Sequence, residues 1–134
     1  MLVNPIVVAY LQAPADDLDA ARRLASPPNR LVAYHLQQTA EKIVKAILID
    51  RGVQPTAEHR IDLLVDRLPA SDVWVPRLRP LDRLTPFATS YRYPTPTGRL
   101  KDAPTVEVIE REIDGLALLL RDVRAALAAA APTT

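Results

Sequence analysis

The chain of 134 residues is 49% hydrophobic, so it can bury one substantial core and is expected to form one domain. Its 17 basic residues nearly match its 16 acidic residues, which excludes a global charge that would attract nucleic acid or a membrane, so any basic site must be local. The absence of cysteine excludes disulfides and thiolate chemistry, and with only two histidines we expect neither a metal nor a cofactor.

The N-terminal segment MLVNPIVVAYLQAPA contains an apolar run that lacks a basic start and is too short for a secretion signal. No segment of the sequence approaches the roughly 20 apolar residues that a membrane span needs. We therefore expect a cytoplasmic protein with no membrane partner. Residues 1–14 are predicted to form an N-terminal arm, irregular or as a short strand, and residues 15–131 a single helical bundle.

Proline limits the predicted helices, because it is hard to place inside one. In chain order, the predicted helices are Ala15–Ala25, Asn29–Arg51, Ile61–Leu68, Leu78–Tyr91 and Thr105–Ala131. Pro80 and Pro86 should make the fourth helix irregular, and turn-forming residues predict an exposed loop over 93–104. The last helix carries apolar residues at spacings of three and four, which predicts a stripe for a bundle core or a partner helix: Val106, Ile109, Ile113, Leu116, Leu120, Val123 and Leu127.

The helix predicted over Asn29–Arg51 has two different faces when its residues are placed at the helical period. One face is apolar and must meet the core: Val32, Leu36, Ala40, Ile43, Val44 and Ile47. The opposite face is polar: His35, Gln38, Lys42 and Lys45. Gln37 and Glu41 lie on the flank between them, where a buried amide without a partner would cost about 1–3 kcal/mol.

These polar groups allow two interpretations. In the first, the face is an ordinary solvated one, with Glu41 and Lys45 as an i,i+4 ion pair. In the second, they line a polar cleft where another chain, a ligand or a turn satisfies them. The segment SYRYP favours the second, because Arg92 offers a fork suited to phosphate, and Tyr91 and Tyr93 offer stacking faces and hydroxyls. A helix-terminating turn with Tyr93 in the core is the alternative.

Four segments in order, DLDAARRLA, YHLQQTAEKIVKAILIDRG, EHRIDLLVDRL and SYRYP, precede a long final helix. This order resembles the HEPN domains (higher eukaryotes and prokaryotes nucleotide-binding) over about residues 15–129. The resemblance implies an all-α, up-and-down bundle of four to five helices that forms a homodimer with a cleft near the dimer axis. It also implies a nucleotide or RNA ligand and a minimal nucleotidyltransferase as partner, and many HEPN proteins are toxins that cut RNA.

The chain departs from the RNA-cutting members of that family. Those members carry an arginine followed, after about four to six residues, by a histidine near the start of the last long helix. Here no histidine follows Arg92, and the pair Arg30 and His35 has such a spacing in the wrong helix. His59 matches a family position before the third helix, where it either caps the helix or contacts a phosphate. A metal-independent ribonuclease needs a general acid or base as well as a charge stabiliser, and only the stabiliser, Arg92, is evident.

Three functions stay open. The first is a non-catalytic nucleotide- or RNA-binding module, and its expected ligand-binding residues are His35, Gln38, Lys42, Lys45, Tyr91, Arg92 and Tyr93. Gln37, Glu41 and His59 are expected on the flank of the cleft or of a dimer. The second is a metal-independent RNA-cutting toxin of a toxin–antitoxin pair, in which His35 or His59 replaces the missing histidine. The third is a structural bundle whose polar face fixes the register of a dimer. The missing histidine favours the first, so we assign no catalytic and no metal-binding residue.

Overall fold

Three long helices and two shorter helical segments make up the fold in the computed structural model, which describes residues 4–129. The elements in chain order are α1 (Pro5–Leu24), α2 (Val32–Asp50), α3 (Ile61–Val65), α4 (Val75–Leu78), a 3₁₀ helix (Arg79–Ala88) and α5 (Val106–Ala129). Over residues 4–129 the fold is all-α, without a strand, as predicted. Helix α2 is central, because it packs against α1, α3, the 3₁₀ helix and α5.

Helix α1 begins at Pro5, well before the predicted start at Ala15. The Asn4 side chain accepts a hydrogen bond from the Ile6 amide at 2.9 Å, and proline in the first turn loses no helical hydrogen bond. One buried stripe then runs through the whole helix: Val7, Leu11, Pro14, Leu18 and Ala21. The prediction of an arm is therefore wrong for residues 5–14, and the bundle starts near Pro5 instead of at residue 15. Residues 1–3 lie outside the described residues.

Helix α2 confirms the predicted apolar face, because every residue of it is fully buried: Val32, Leu36, Ala40, Ile43, Val44 and Ile47. The helix ends in a Schellman motif, in which the Val53 amide donates to the Leu48 carbonyl at 2.9 Å and the Gly52 amide to the Ile49 carbonyl at 3.0 Å. Gly52 has a φ of 75°, a left-handed conformation that favours glycine. Glycine at this position thus sets where α2 stops.

The segment predicted as an irregular helix over Leu78–Tyr91 instead starts earlier, as α4 at Val75, and continues as the 3₁₀ helix to Ala88. Pro80 and Pro86 cannot donate the backbone hydrogen bonds that would continue an α-helix, so the segment does not extend α4 as a regular α-helix. Helix α5 carries the predicted stripe. The stripe residues from Ile109 onward are buried, while Val106 is 42% exposed. No helix within residues 4–129 has both the length and the apolar character to cross a membrane.

Candidate functional site

A buried carboxylate organises the polar flank of α2. Glu41 is only 2% exposed, and its Oε2 lies 3.2 Å from Lys45 Nζ. Its Oε1 lies 3.1 Å from His59 Nδ1 and accepts a hydrogen bond from Gln37 Nε2 at 3.1 Å. A buried charge costs several kcal/mol unless it is paired and hydrogen-bonded, and Glu41 is both. The partners of Gln37 and Glu41 thus come from the same chain, so neither another chain nor a ligand is required to satisfy them.

A second buried carboxylate, Asp17 of α1, holds two of the predicted ligand-binding residues. His35 Nδ1 lies 2.9 Å from Asp17 Oδ1, and Lys42 Nζ lies 2.5 Å from Asp17 Oδ2. Asp17 is 9% exposed, while the His35 and Lys42 side chains are partly exposed, so this cluster joins α1 to α2 at the edge of the core. His35 and Lys42 therefore face α1, where His35 Nδ1 and Lys42 Nζ are bound to Asp17.

A cleft of about 290 Å³ opens where the N-terminal half of α2 meets the end of the 3₁₀ helix. Its lining comes from three separate parts of the chain: Tyr34, Gln38, His59, Ala88, Thr89, Arg92 and Tyr93. The structure thus brings together Gln38, His59, Arg92 and Tyr93 of the predicted residues. The volume lies at the lower end of the range for small-ligand sites.

Arg92 is the main cation of this cleft. Its guanidinium carbon lies 4.2 Å from the centre of the Tyr34 ring and 5.3 Å from that of Tyr93. Its guanidinium makes one hydrogen bond within residues 4–129, a long one of 3.4 Å from Nη1 to the Ala88 carbonyl, and no described carboxylate lies within 4.0 Å of it. Stacking uses the faces of the guanidinium, so the N–H groups in its plane stay available for an anion.

The remaining predicted residues lie outside the cleft. The Tyr91 ring packs edge-on against Phe87, with centroids 5.4 Å apart, and Lys101 Nζ lies 5.6 Å from the Tyr91 ring. Lys45 is held by Glu41 in the i,i+4 pair that the sequence had suggested. Neither side chain contributes to the lining of the cleft.

Tyr34 and Thr89 line the cleft but were absent from the predicted site. Tyr34 lies four residues before Gln38 on α2, so the two side chains project from the same side of the helix. That spacing is a signal that could have identified Tyr34. Thr89 sits just after the 3₁₀ helix, and no pattern in the sequence indicates it.

A second groove of about 300 Å³ lies between α1 and α5 and is rich in arginine: Arg22, Arg121 and Arg124. Arg121 lies 3.4 Å from Asp122, and Arg124 donates to the Leu11 carbonyl at 3.2 Å. The hydrogen bond from Arg77 lowers the pKa of Asp122, and Arg121 adds to the effect. The groove offers no aromatic side chain, so we place the candidate site at the Arg92 cleft. No cluster of three metal-ligating side chains occurs within the described part of the chain.

The comparisons with known proteins agree with this architecture. The family model of the HEPN domain matches residues 8–122. The structure of TT1696 from Thermus thermophilus superimposes with a TM-score of 0.71 at 22% identity, covering 89% of this chain and 96% of that one. The structure of ST0689, an archaeal HEPN homologue, gives a TM-score of 0.65 at 26% identity, covering 95% and 99%. None of the curated proteins is significantly similar to the chain.

Proposed function

Because the chain belongs to the HEPN domain family, we propose that it binds a nucleotide or RNA in the cleft around Arg92. Arg92 carries the proposal, since it is a stacked guanidinium without a carboxylate partner among residues 4–129. A phosphate would supply the missing anion through charge-assisted hydrogen bonds to the guanidinium edge. This local charge is compatible with the net charge of +1.

The aromatic residues of the cleft suit the rest of such a ligand. Tyr34 and Tyr93 flank Arg92, and Tyr93 is 55% exposed. An exposed tyrosine ring beside a phosphate-binding arginine offers a surface on which a nucleobase can stack, at about 1–3 kcal/mol per base. A single cleft would thus contact both the charged and the aromatic part of a nucleotide.

We propose further that the module is non-catalytic, forms a homodimer and works with a minimal nucleotidyltransferase partner. The proposal that the module is non-catalytic is supported by the absence of a histidine after Arg92 in the sequence. The support for the partner is the family to which the chain belongs, whose members often accompany such an enzyme. A cleft that holds a nucleotide without reacting with it would suit delivery to, or regulation of, the partner.

A second candidate function, metal-independent RNA cleavage, is favoured by the pairing of His59 with Glu41. Glu41 holds His59 Nδ1 at 3.1 Å, and the His59 side chain is 69% exposed and lines the cleft. The His59 Nε2 atom could then take the proton of a ribose 2′-hydroxyl while the 2′ oxygen attacks the adjacent phosphorus. The bond from phosphorus to the 5′ oxygen would break, and water would protonate that oxygen. Arg92 would stabilise the charge on the phosphate.

The test is a titration of the wild type, Arg92→Ala and Arg92→Lys with labelled nucleotides and a short RNA. Loss of a charge-assisted contact costs about 1–3 kcal/mol, so Arg92→Ala should weaken binding about 5- to 150-fold. Lysine should restore part of the affinity, because it keeps the charge but loses the fork. Binding of the wild type should weaken as salt is raised.

The matched control is Arg121→Ala, which removes an exposed arginine from the groove between α1 and α5. Its affinity should equal that of the wild type. A loss of affinity confined to Arg121→Ala would place the binding site in that groove instead. No binding by the wild type would leave the structural bundle as the function. Cleavage of RNA by the wild type without metal, abolished in His59→Ala, would establish the second candidate in place of the first.

A further inference from the structure

The direction in which the Gln37 amide points is fixed by its two neighbours. Gln37 is fully buried, and its terminal amide group lies 3.1 Å from Glu41 Oε1 and 3.4 Å from the backbone carbonyl oxygen of His59. A carboxylate and a carbonyl can only accept hydrogen bonds. The group that faces them must therefore be the NH₂ of Gln37, because its oxygen would meet two acceptors.

The orientation of Gln37 in turn fixes that of Gln38. With its NH₂ turned to Glu41, Gln37 presents Oε1 to the next side chain, 2.8 Å from the terminal nitrogen of Gln38. An oxygen acceptor requires a donor, so Gln38 must use its NH₂ here. The Oε1 atom of Gln38 is then turned away from Gln37, and no donor within residues 4–129 binds it.

Gln38 lines the cleft beside Tyr34 and Arg92. The buried carboxylate of Glu41 thus acts through two amides to leave a hydrogen-bond acceptor at the cleft. We infer that the cleft selects a nucleobase bearing an exocyclic amino group, adenine above all, whose N–H donates to Gln38 Oε1; this inference rests on the proposed nucleotide binding at Arg92. The nearby second N–H of Gln38 suits the ring nitrogen acceptors of adenine, the pairing that glutamine makes with this base.

The test compares two ligands that differ only in the amino group, adenosine 5′-monophosphate and purine riboside 5′-monophosphate. The wild type should bind the adenosine compound about 3- to 10-fold more tightly, the value of one neutral hydrogen bond. Gln38→Met keeps the length of the side chain but replaces the amide with a thioether, which accepts hydrogen bonds only weakly, so it should bind both compounds with similar, weaker affinity. Gln12→Met, on the exposed side of α1, is the control and should keep the preference.

The outcomes separate this inference from the proposed function. Equal affinity of the wild type for the two compounds, with binding still dependent on Arg92, would overturn the amino-group selectivity and leave nucleotide binding in place. A preference retained in Gln38→Met would also overturn it, since another group would then read the base. No binding of either compound by the wild type would overturn both. Thermal melting of each variant verifies that a loss of preference does not come from unfolding.

Discussion

The guanidinium of Arg92 is stacked on the ring of Tyr34, with 4.2 Å between the guanidinium carbon and the ring centroid. The stack joins the turn after the 3₁₀ helix to α2 and sets the position of the proposed phosphate contact. We expect Tyr34→Leu to weaken nucleotide binding about 3- to 10-fold, because the guanidinium loses the ring face. Tyr34→Phe should bind like the wild type, since the face remains. Equal losses in both variants would assign the effect to the hydroxyl.

Asp17 should stabilise the packing of α1 on α2, because it holds both His35 and Lys42. We expect Asp17→Ala to lower the free energy of unfolding by about 1–3 kcal/mol and the melting temperature by several degrees. The control is Asp19→Ala, whose only partner among the described residues is the exposed Arg23, and its effect should stay within about 0.5 kcal/mol. Identical urea midpoints for the two variants would show that the Asp17 cluster contributes nothing to the stability of the fold.

The acid sensitivity of the fold should depend on Asp72. Arg51 at the end of α2 donates to it from Nε at 2.8 Å, and this hydrogen bond lowers the pKa of Asp72, although burial opposes the shift. A lowered pKa stabilises the folded state at pH values above the unfolded pKa of about 3.9, and the contribution is lost as the pH falls through the folded pKa. Asp72→Asn should thus cost about 1–3 kcal/mol at pH 7.

Urea unfolding across a pH series measures this dependence. The difference in free energy of unfolding between the wild type and Asp72→Asn should begin to narrow below about pH 4, because the carboxyl of the unfolded chain is protonated first, and should close only as the pH falls through the lower pKa of the folded carboxyl. Asp66→Asn is the control, because Asp66 pairs with Arg79 on the surface and its removal should change little at any pH. A difference in free energy of unfolding that is constant over the whole pH series would mean that Asp72 acts through its shape and not its charge.

We expect the chain to form a homodimer at micromolar concentration. Large apolar side chains are exposed on the long helices, with Ile6 56% exposed on α1 and Leu118 47% exposed on α5. A second copy of the chain would cover such surface. Sedimentation equilibrium should give twice the chain mass of 14.8 kDa. A monomer under these conditions would remove the dimer from the proposed function but leave the Arg92 cleft, whose described lining comes from one chain, unaffected.

The sequence predicts the helices whose apolar residues recur without interruption. The stripe of α5 and the buried face of α2 were both identified in this way. The first half of α1 is not predicted, because proline is taken as a limit on helices and both Pro5 and Pro14 lie within it. Pro5 occupies the first turn, where proline is tolerated, and Pro14 is itself buried as one member of the stripe. Val7, Leu11, Pro14 and Leu18 recur at spacings of three and four, which indicates a helix with one buried face.

The site was only partly predictable, because its geometry depends on pairs that are distant in the sequence. The residue types of Gln38, Arg92 and Tyr93 indicated their place at a polar cleft. The partners of His35 and Lys42 could not be found in this way, since Asp17 lies 18 and 25 positions away. Helical period alone shows which side of α2 a residue occupies, but not which neighbouring helix covers that side.

The cluster around Glu41 also has a consequence for how this sequence can diverge. Glu41 bonds at once with Gln37, Lys45 and His59, so a change at any one of them leaves a buried polar group without its partner. The energies of such residues are not additive, and a second change can restore what the first removes. In an alignment of relatives, we therefore expect these four positions to covary as a unit, with an apolar residue at position 41 accompanied by replacement of the other three.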